Sequence, residues 1–128
     1  IKFKDMGCKG IVSGILNLDN TIDLNRTMEL VNISRPLEFT FHRAFDIVTD
    51  PLKELEKLIL LGVDRVLTSG QKEKAIKGIE LLKELKNNAK NKIIIMPGSG
   101  INKLNIMNFR SFNEIHGSFK NEINSINF

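Results

Sequence analysis

LEFTFHRAFD, residues 37–46, is the stretch on which the fold turns. Over residues 37–42 apolar and polar side chains alternate, so a strand here carries Leu37, Phe39 and Phe41 on one face and Glu38, Thr40 and His42 on the other. In an open doubly wound sheet both faces of a central strand lie beneath helices, and burying the polar set is costly unless each group is paired. In a (β/α)8 barrel the inward face meets only other strands, and inward residues near the carboxyl end open toward the mouth. The alternation therefore favours a barrel strand with Phe39 and Phe41 under helices and His42 at the rim.

The same unit recurs on either side. GIVSGIL at 10–16 is a short apolar run of strand type, and Asp23 then caps a helical pattern with Leu24, Met28 and Val31 on one face. After residue 46, Asp50 is a good N-cap and Pro51 suits the first helical position. Leu52, Leu55, Leu58 and Ile59 form the buried stripe, and Gly62 takes the left-handed position that ends the helix. VDRVLTS at 63–69 is a strand, and 73–86 a helix with Ile76, Ile79, Leu82 and Leu85 on one side, ending in Asn87 and Asn88. KIIIMP at 92–97 has the composition of a strand buried on both faces, 102–110 is a shorter helical stretch, and FNEIH at 112–116 is a fifth strand. Strand starts at intervals of about 27 residues, alternating with helices, imply parallel strands joined by right-handed crossovers, hence the α/β class. Five such units fall short of a closed barrel, which needs about 200 residues or more. The expectation is an incomplete (β/α)8 TIM barrel.

Composition limits the function classes. With 128 residues, 41% hydrophobic and 27% charged, the chain suits one globular domain. The net charge of +4 is spread along helices where lysines interleave with Glu54, Glu56, Glu73, Glu80 and Glu84, a solvated surface rather than a nucleic-acid patch. No apolar run of about 18 residues suggests a membrane span, and no signal-peptide pattern is present. A single cysteine, Cys8, rules out an internal disulfide framework and suits a reducing compartment, so the expected location is cytoplasmic. The start at Ile1, in what looks like the end of a helix, suggests a fragment or processed product.

Candidate site residues fall where strands would meet the loops that follow them. His42, Arg43 and Asp46 place an imidazole, a guanidinium fork and a carboxylate within five residues, which suits acid/base chemistry, an anionic ligand or a metal. The plainer readings are a His42 hydrogen-bonded within the barrel and an Asp46 that caps a loop. Thr68, Ser69 and Gly70 end one strand; Gly98, Ser99 and Gly100 follow the next and open a helical stretch, exposing amides that suit phosphate or carboxylate, or simply forming a tight turn. His116 shares a face with Glu114 and precedes Gly117 and Ser118. No GxGxxG or P-loop accompanies these turns, so no organic cofactor is evident. Soft or imidazole side chains that could serve a metal ion number Met6, Cys8, His42, Met96 and His116, with no CxxC, MxxM or HxxxH among them; Cys8 and Met96 read as packing residues.

Taken together, GIVSGIL, LEFTFHRAFD, LGVDRVLTSGQ, KIIIMPGSGIN and EIHGS resemble, in order and spacing, the consecutive strand motifs of the CutC family of copper homeostasis proteins. The resemblance covers residues 7–118 and implies a (β/α)8 barrel of which residues 1–118 supply the third to seventh strands. The tail 119–128, FKNEINSINF, does not resemble the family's closing helix. Copper handling is the function the resemblance implies, with copper as the bound ion and its ligands unassigned. The residues themselves also suit a barrel enzyme or binding protein for a small anionic, phosphorylated metabolite, with His42 and His116 as acid/base groups, Arg43 and the GSG turn holding the anion, and Asp46 orienting a partner. A third expectation is an inactive fragment. Open strand edges in an incomplete barrel would favour association between copies of the chain.

Overall fold

The computed structural model describes residues 10–117 and 125–127. Cys8, Met6 and Ser118 lie outside the described residues. The elements run β1 (Gly10–Ser13), α1 (Leu24–Ser34), β2 (Glu38–Phe41), a 3-10 turn (Arg43–Ile47), α2 (Pro51–Leu61), β3 (Arg65–Thr68), a second 3-10 turn (Ala75–Gly78), α3 (Ile79–Ala89), β4 (Ile94–Pro97), a third 3-10 turn (Ile106–Phe109), β5 (Glu114–His116) and β6 (Ser125–Asn127).

Strands β1 to β4 form one parallel sheet in chain order. Its register sets Val12 beside Thr40, Thr40 beside Arg65 and Arg65 beside Ile94, so these share one face with Glu38. The opposite face carries Phe39, Phe41, Val66 and Ile95, buried beneath Leu55 and Leu58 of α2 and Leu82 and Leu85 of α3. Removing a side chain of this size from water stabilises the fold by about 1.5–3 kcal/mol each, which is why the apolar set of LEFTFH takes the helix side and the polar set the other.

Helix α2 begins and ends where its signals lie. Asp50 accepts the Lys53 N–H at 3.3 Å, Pro51 is the first helical residue, and Gly62 at φ 80° returns its N–H to the carbonyls of Leu58 and Ile59. At α1, Asp23 caps as expected, accepting the Arg26 N–H at 3.1 Å, but the buried face is Thr27, Val31 and Ser34. Leu24 and Met28 stay about half exposed, because α1 meets the sheet and α2 on one flank only.

Three expectations need correction. The helix expected from 73 starts at Ile79 after a 3-10 turn; Gly78 there lies so close to Ser69 and Gly70 that an added Cβ would sit 2.0 Å from the Ser69 carbonyl oxygen. Asn87 and Asn88 lie inside that helix, the Asn88 amide donating to the Glu84 carbonyl at 2.8 Å, and Lys90 in the left-handed region ends it. The helix expected over 102–110 reduces to the turn Ile106–Phe109. The Asn102 and Asn105 side chains accept the N–H groups of Leu104 and Asn102 at 2.8 and 2.9 Å, a local alternative to helical bonding. The fifth strand stands next to β4 in the core, but its ladder is antiparallel, to β6 at residues 125–127 of the tail.

Candidate functional site

The carboxyl ends of the parallel strands gather most of the expected residues. His42 follows β2 and caps the turn Arg43–Ile47: its backbone N–H donates to the Ser13 carbonyl at 3.0 Å, and its Nδ1 accepts the Ala44 N–H at 3.0 Å. A backbone amide can only donate, so Nδ1 carries the lone pair and the neutral ring holds its proton on Nε2. The ring leans on Phe41 with centroids 6.1 Å apart. It also lies over Gly14, where an added Cβ would stand 2.8 Å from Cε1 and Nδ1. Gly14 therefore belongs to the site; it falls inside the strand expected over 10–16, which ends at Ser13.

Arg43 and Asp46 turn toward β3. Asp46 Oδ2 accepts from Arg43 Nε at 2.7 Å and from Ser69 Oγ at 2.9 Å; Oδ1 accepts from Thr68 Oγ1 at 2.5 Å and from the amides of Ser69 and Gln71 at 3.0 and 3.2 Å. The Arg43 fork reaches Ser69 Oγ as well, at 3.1 Å. With its carboxylate almost fully covered and its lone pairs taken, Asp46 ties the β2 and β3 loops together and holds Arg43 in place. Thr68 and Ser69 are buried within this cluster, and Gly70, at φ 72°, lies against Gly78. Gln71, at φ 63°, adds a further tie by donating to the Val48 carbonyl at 2.7 Å.

The β4 and β5 ends form a second group. The Gly98 N–H donates to the Thr68 carbonyl at 3.0 Å, and an added Cβ there would come within 2.5 Å of Leu67 Cδ1 and 3.6 Å of the His116 Cβ. His116 is thus beside Gly98 at the end of β5, half-buried, with Gly117 following. Ser99 and Gly100 take φ 89° and 71°, and Ser99 Oγ donates to the Glu73 carbonyl at 2.8 Å. Because only a 3-10 turn follows, no α-helix N-terminus backs this loop. His42 and His116 are on the same rim but on β2 and β5, with β3 and β4 between them.

Sequence reasoning missed Arg65, at the centre of the sheet's polar face. Its guanidinium meets both Glu114 oxygens at 2.9 and 3.1 Å and Glu38 at 3.0 Å. Burial opposes the charge, but the bonds to Glu114 and Glu38 outweigh it and raise the Arg65 pKa above its ordinary value. The signal available was parity: Arg65 is two residues before Leu67 in a strand whose outward set is Val66 and Thr68.

Two cavities among the described residues lie elsewhere. One of about 80 Å³ is lined by Lys86, Ala89, Ile93, Ile94 and Asn113, and one of about 240 Å³ by Glu56, Leu60, Asn88, Lys90 and Lys92. Both lie at the amino-terminal side of β4, away from His42 and Ser99. Among the described residues no group of three or more His, Cys, Asp or Glu could hold a metal ion, Met96 being buried in the sheet, and no helix is long and apolar enough to cross a membrane.

Comparisons with known proteins point one way. The model of the CutC family matches residues 1–121. A relative called copper homeostasis protein cutC homolog is 49% identical over 100 residues in Homo sapiens, covering 78% of this chain and 37% of that protein. A family protein CutC of Parabacteroides distasonis is 48% identical over 103 residues, covering 80% of this chain and 42% of its own. A crystal structure of a Streptococcus agalactiae protein given the name copper homeostasis protein CutC superposes with a TM-score of 0.78 at 31% identity, over 84% of this chain and 53% of that one. The chain therefore spans about half the length, or less, of these relatives.

Proposed function

This chain belongs to the CutC family, and on that premise we propose that the protein serves copper homeostasis, with the carboxyl-terminal rim of its incomplete (β/α)8 barrel as the ligand face. The observation that supports the rim is the cluster of Arg43, Asp46 and Ser69 that ties the β2 and β3 ends together next to His42, with His116 on the same side at the end of β5. Cytoplasmic action suits the single cysteine.

Copper is the cargo in this reading, and the described residues do not form a cage for it. His42 and His116 are the imidazoles available on the rim. For His42 to ligate through Nδ1 it must give up the Ala44 bond, a cost of about 0.5–1.5 kcal/mol that a metal bond outweighs. Titration of Cu(I) against a competing chelator tests this directly. Direct handling predicts about tenfold or greater loss of affinity in both His42→Ala and His116→Ala; equal affinity in all three proteins would show that copper is held elsewhere or not at all.

A second reading is favoured by the His42 tautomer. With its proton on Nε2, and Arg43 held alongside in the same turn, the resting rim offers donors rather than lone pairs, which suits a small anionic metabolite. Stabilisation of the protein by millimolar phosphate or carboxylates, lost in Arg43→Gln and His42→Ala, is the expected result, and indifference to every anion would remove this reading.

A further inference from the structure

The loop after β4 is a donor surface in its own right. Its carbonyls are engaged: the Ala75 N–H donates to the Ser99 carbonyl at 2.9 Å, and the Asn105 side chain to the Gly100 carbonyl at 2.9 Å. Its amides are not: the N–H groups of Ser99 and Gly100 have no acceptor among the described residues, although both residues reach the surface. Consecutive positive φ angles of 89° and 71° set these two amides next to each other in a tight turn, an arrangement of the kind that forms anion-binding concavities.

Lys74 lies across the same turn. A Cβ added at Gly100 would meet Lys74 Cδ at 2.7 Å, Cγ at 3.5 Å and Cβ at 3.6 Å, so the aliphatic stem of this exposed lysine is laid against the glycine. Two conditions thus demand glycine at 100, the left-handed backbone and the lysine stem. The Ser99 hydroxyl, bonded to the Glu73 carbonyl, fixes the turn to the segment that bears Lys74. Lysine and loop are positioned together without using any residue of the β2 cluster.

We infer that Lys74 and the amides of Ser99 and Gly100 form a cradle for the phosphate group of a small phosphorylated ligand. This rests on the anionic reading of the rim and names the ligand's charged end. Two backbone donors and one ammonium match a tetrahedral oxyanion, which presents several acceptor oxygens at once, better than a planar carboxylate. The strand spacing of about 4.8 Å sets the cradle roughly 10 Å from the β2 end, room for the body of a small metabolite between phosphate and His42.

Titration of the 15N-labelled protein with inorganic phosphate at constant ionic strength, followed by amide shifts, tests it. Saturable shifts at Ser99 and Gly100, weakened about tenfold in Lys74→Gln and much weaker with acetate, are the expected result. Silence of those two amides, shifts that Lys74→Gln leaves unchanged, or acetate binding as tightly as phosphate would overturn the cradle. If the His42 and Arg43 amides alone respond, the cradle is wrong while the anionic reading stands; if no rim residue responds, both fall. Lys74 is exposed, so its substitution leaves the fold intact.

Discussion

Gly14 and His42 form a pair that neither residue explains alone. The imidazole occupies the space a side chain at 14 would need, and the Ala44 amide fixes its ring nitrogen. Gly14→Ala therefore forces the ring to move, and we expect a loss of about 1–3 kcal/mol in stability together with displaced His42 ring resonances. An unshifted His42 spectrum in that variant would show that the ring is not packed on Gly14. Asp46 presents the converse case. As a saturated acceptor it serves to position Arg43 and the β3 loop, so Asp46→Asn should cost about 1–3 kcal/mol in chemical denaturation and release Arg43, whereas Asp46→Ala should cost more by leaving the Thr68 hydroxyl and the Ser69 and Gln71 amides without an acceptor. Local sequence made His42 and Asp46 visible as candidates, because both sit in LEFTFHRAFD; it could not show that the partners of Asp46 come from residues 68–71, a contact made only by the fold.

At the scale of elements, β5 shows what pattern reading cannot supply. FNEIH alternates like a strand, and its position after β4 follows from the repeat, yet the bonds that fix it run to β6 and, through Glu114, to Arg65. Replacing Arg65 by Met should loosen β5 selectively: faster amide exchange at Ile115 and His116, with global stability lower by about 1–3 kcal/mol, a figure reduced because Glu38 is largely exposed and screened. Uniform exchange behaviour across the sheet would mean that Arg65 contributes nothing particular to β5. The helices were more legible. Asp23, Asp50, Pro51 and Gly62 mark α1 and α2 because capping is local chemistry, read within four residues. The stretch at 102–110 misled because its spacing of apolar residues is helical while Asn102 and Asn105 spend their side chains on the backbone. Likewise, Leu24 and Met28 satisfy a helical stripe that the described structure does not cover.

For the whole molecule, the alternation at 37–42 is met by Arg65 on β3, so the sheet face turned from the helices is polar at β2 and β3 and apolar where Val12 of β1 and Ile94 of β4 flank them. Phe39, Phe41, Val66 and Ile95 fill the layer under the helices, while Glu38, Thr40 and Arg65 line the concave side. Val12, on that side and at the edge of the sheet among the described residues, is 63% exposed. The fold and the rim were legible because strand parity and the recurring unit are written locally; the cavities beside β4 were not, because they arise from how α2 and α3 meet the strand ends. These two regions make competing claims as ligand sites, and amide shift mapping with Cu(I) and with phosphate decides between them. Perturbations are expected to centre on residues 42–46, 68–71, 74, 98–101 and 116, at the carboxyl ends of the strands and the loop that carries Lys74. Shifts centred instead on Leu60, Lys86, Ile93 and Asn113, with the rim unchanged, would contradict the rim as the ligand face.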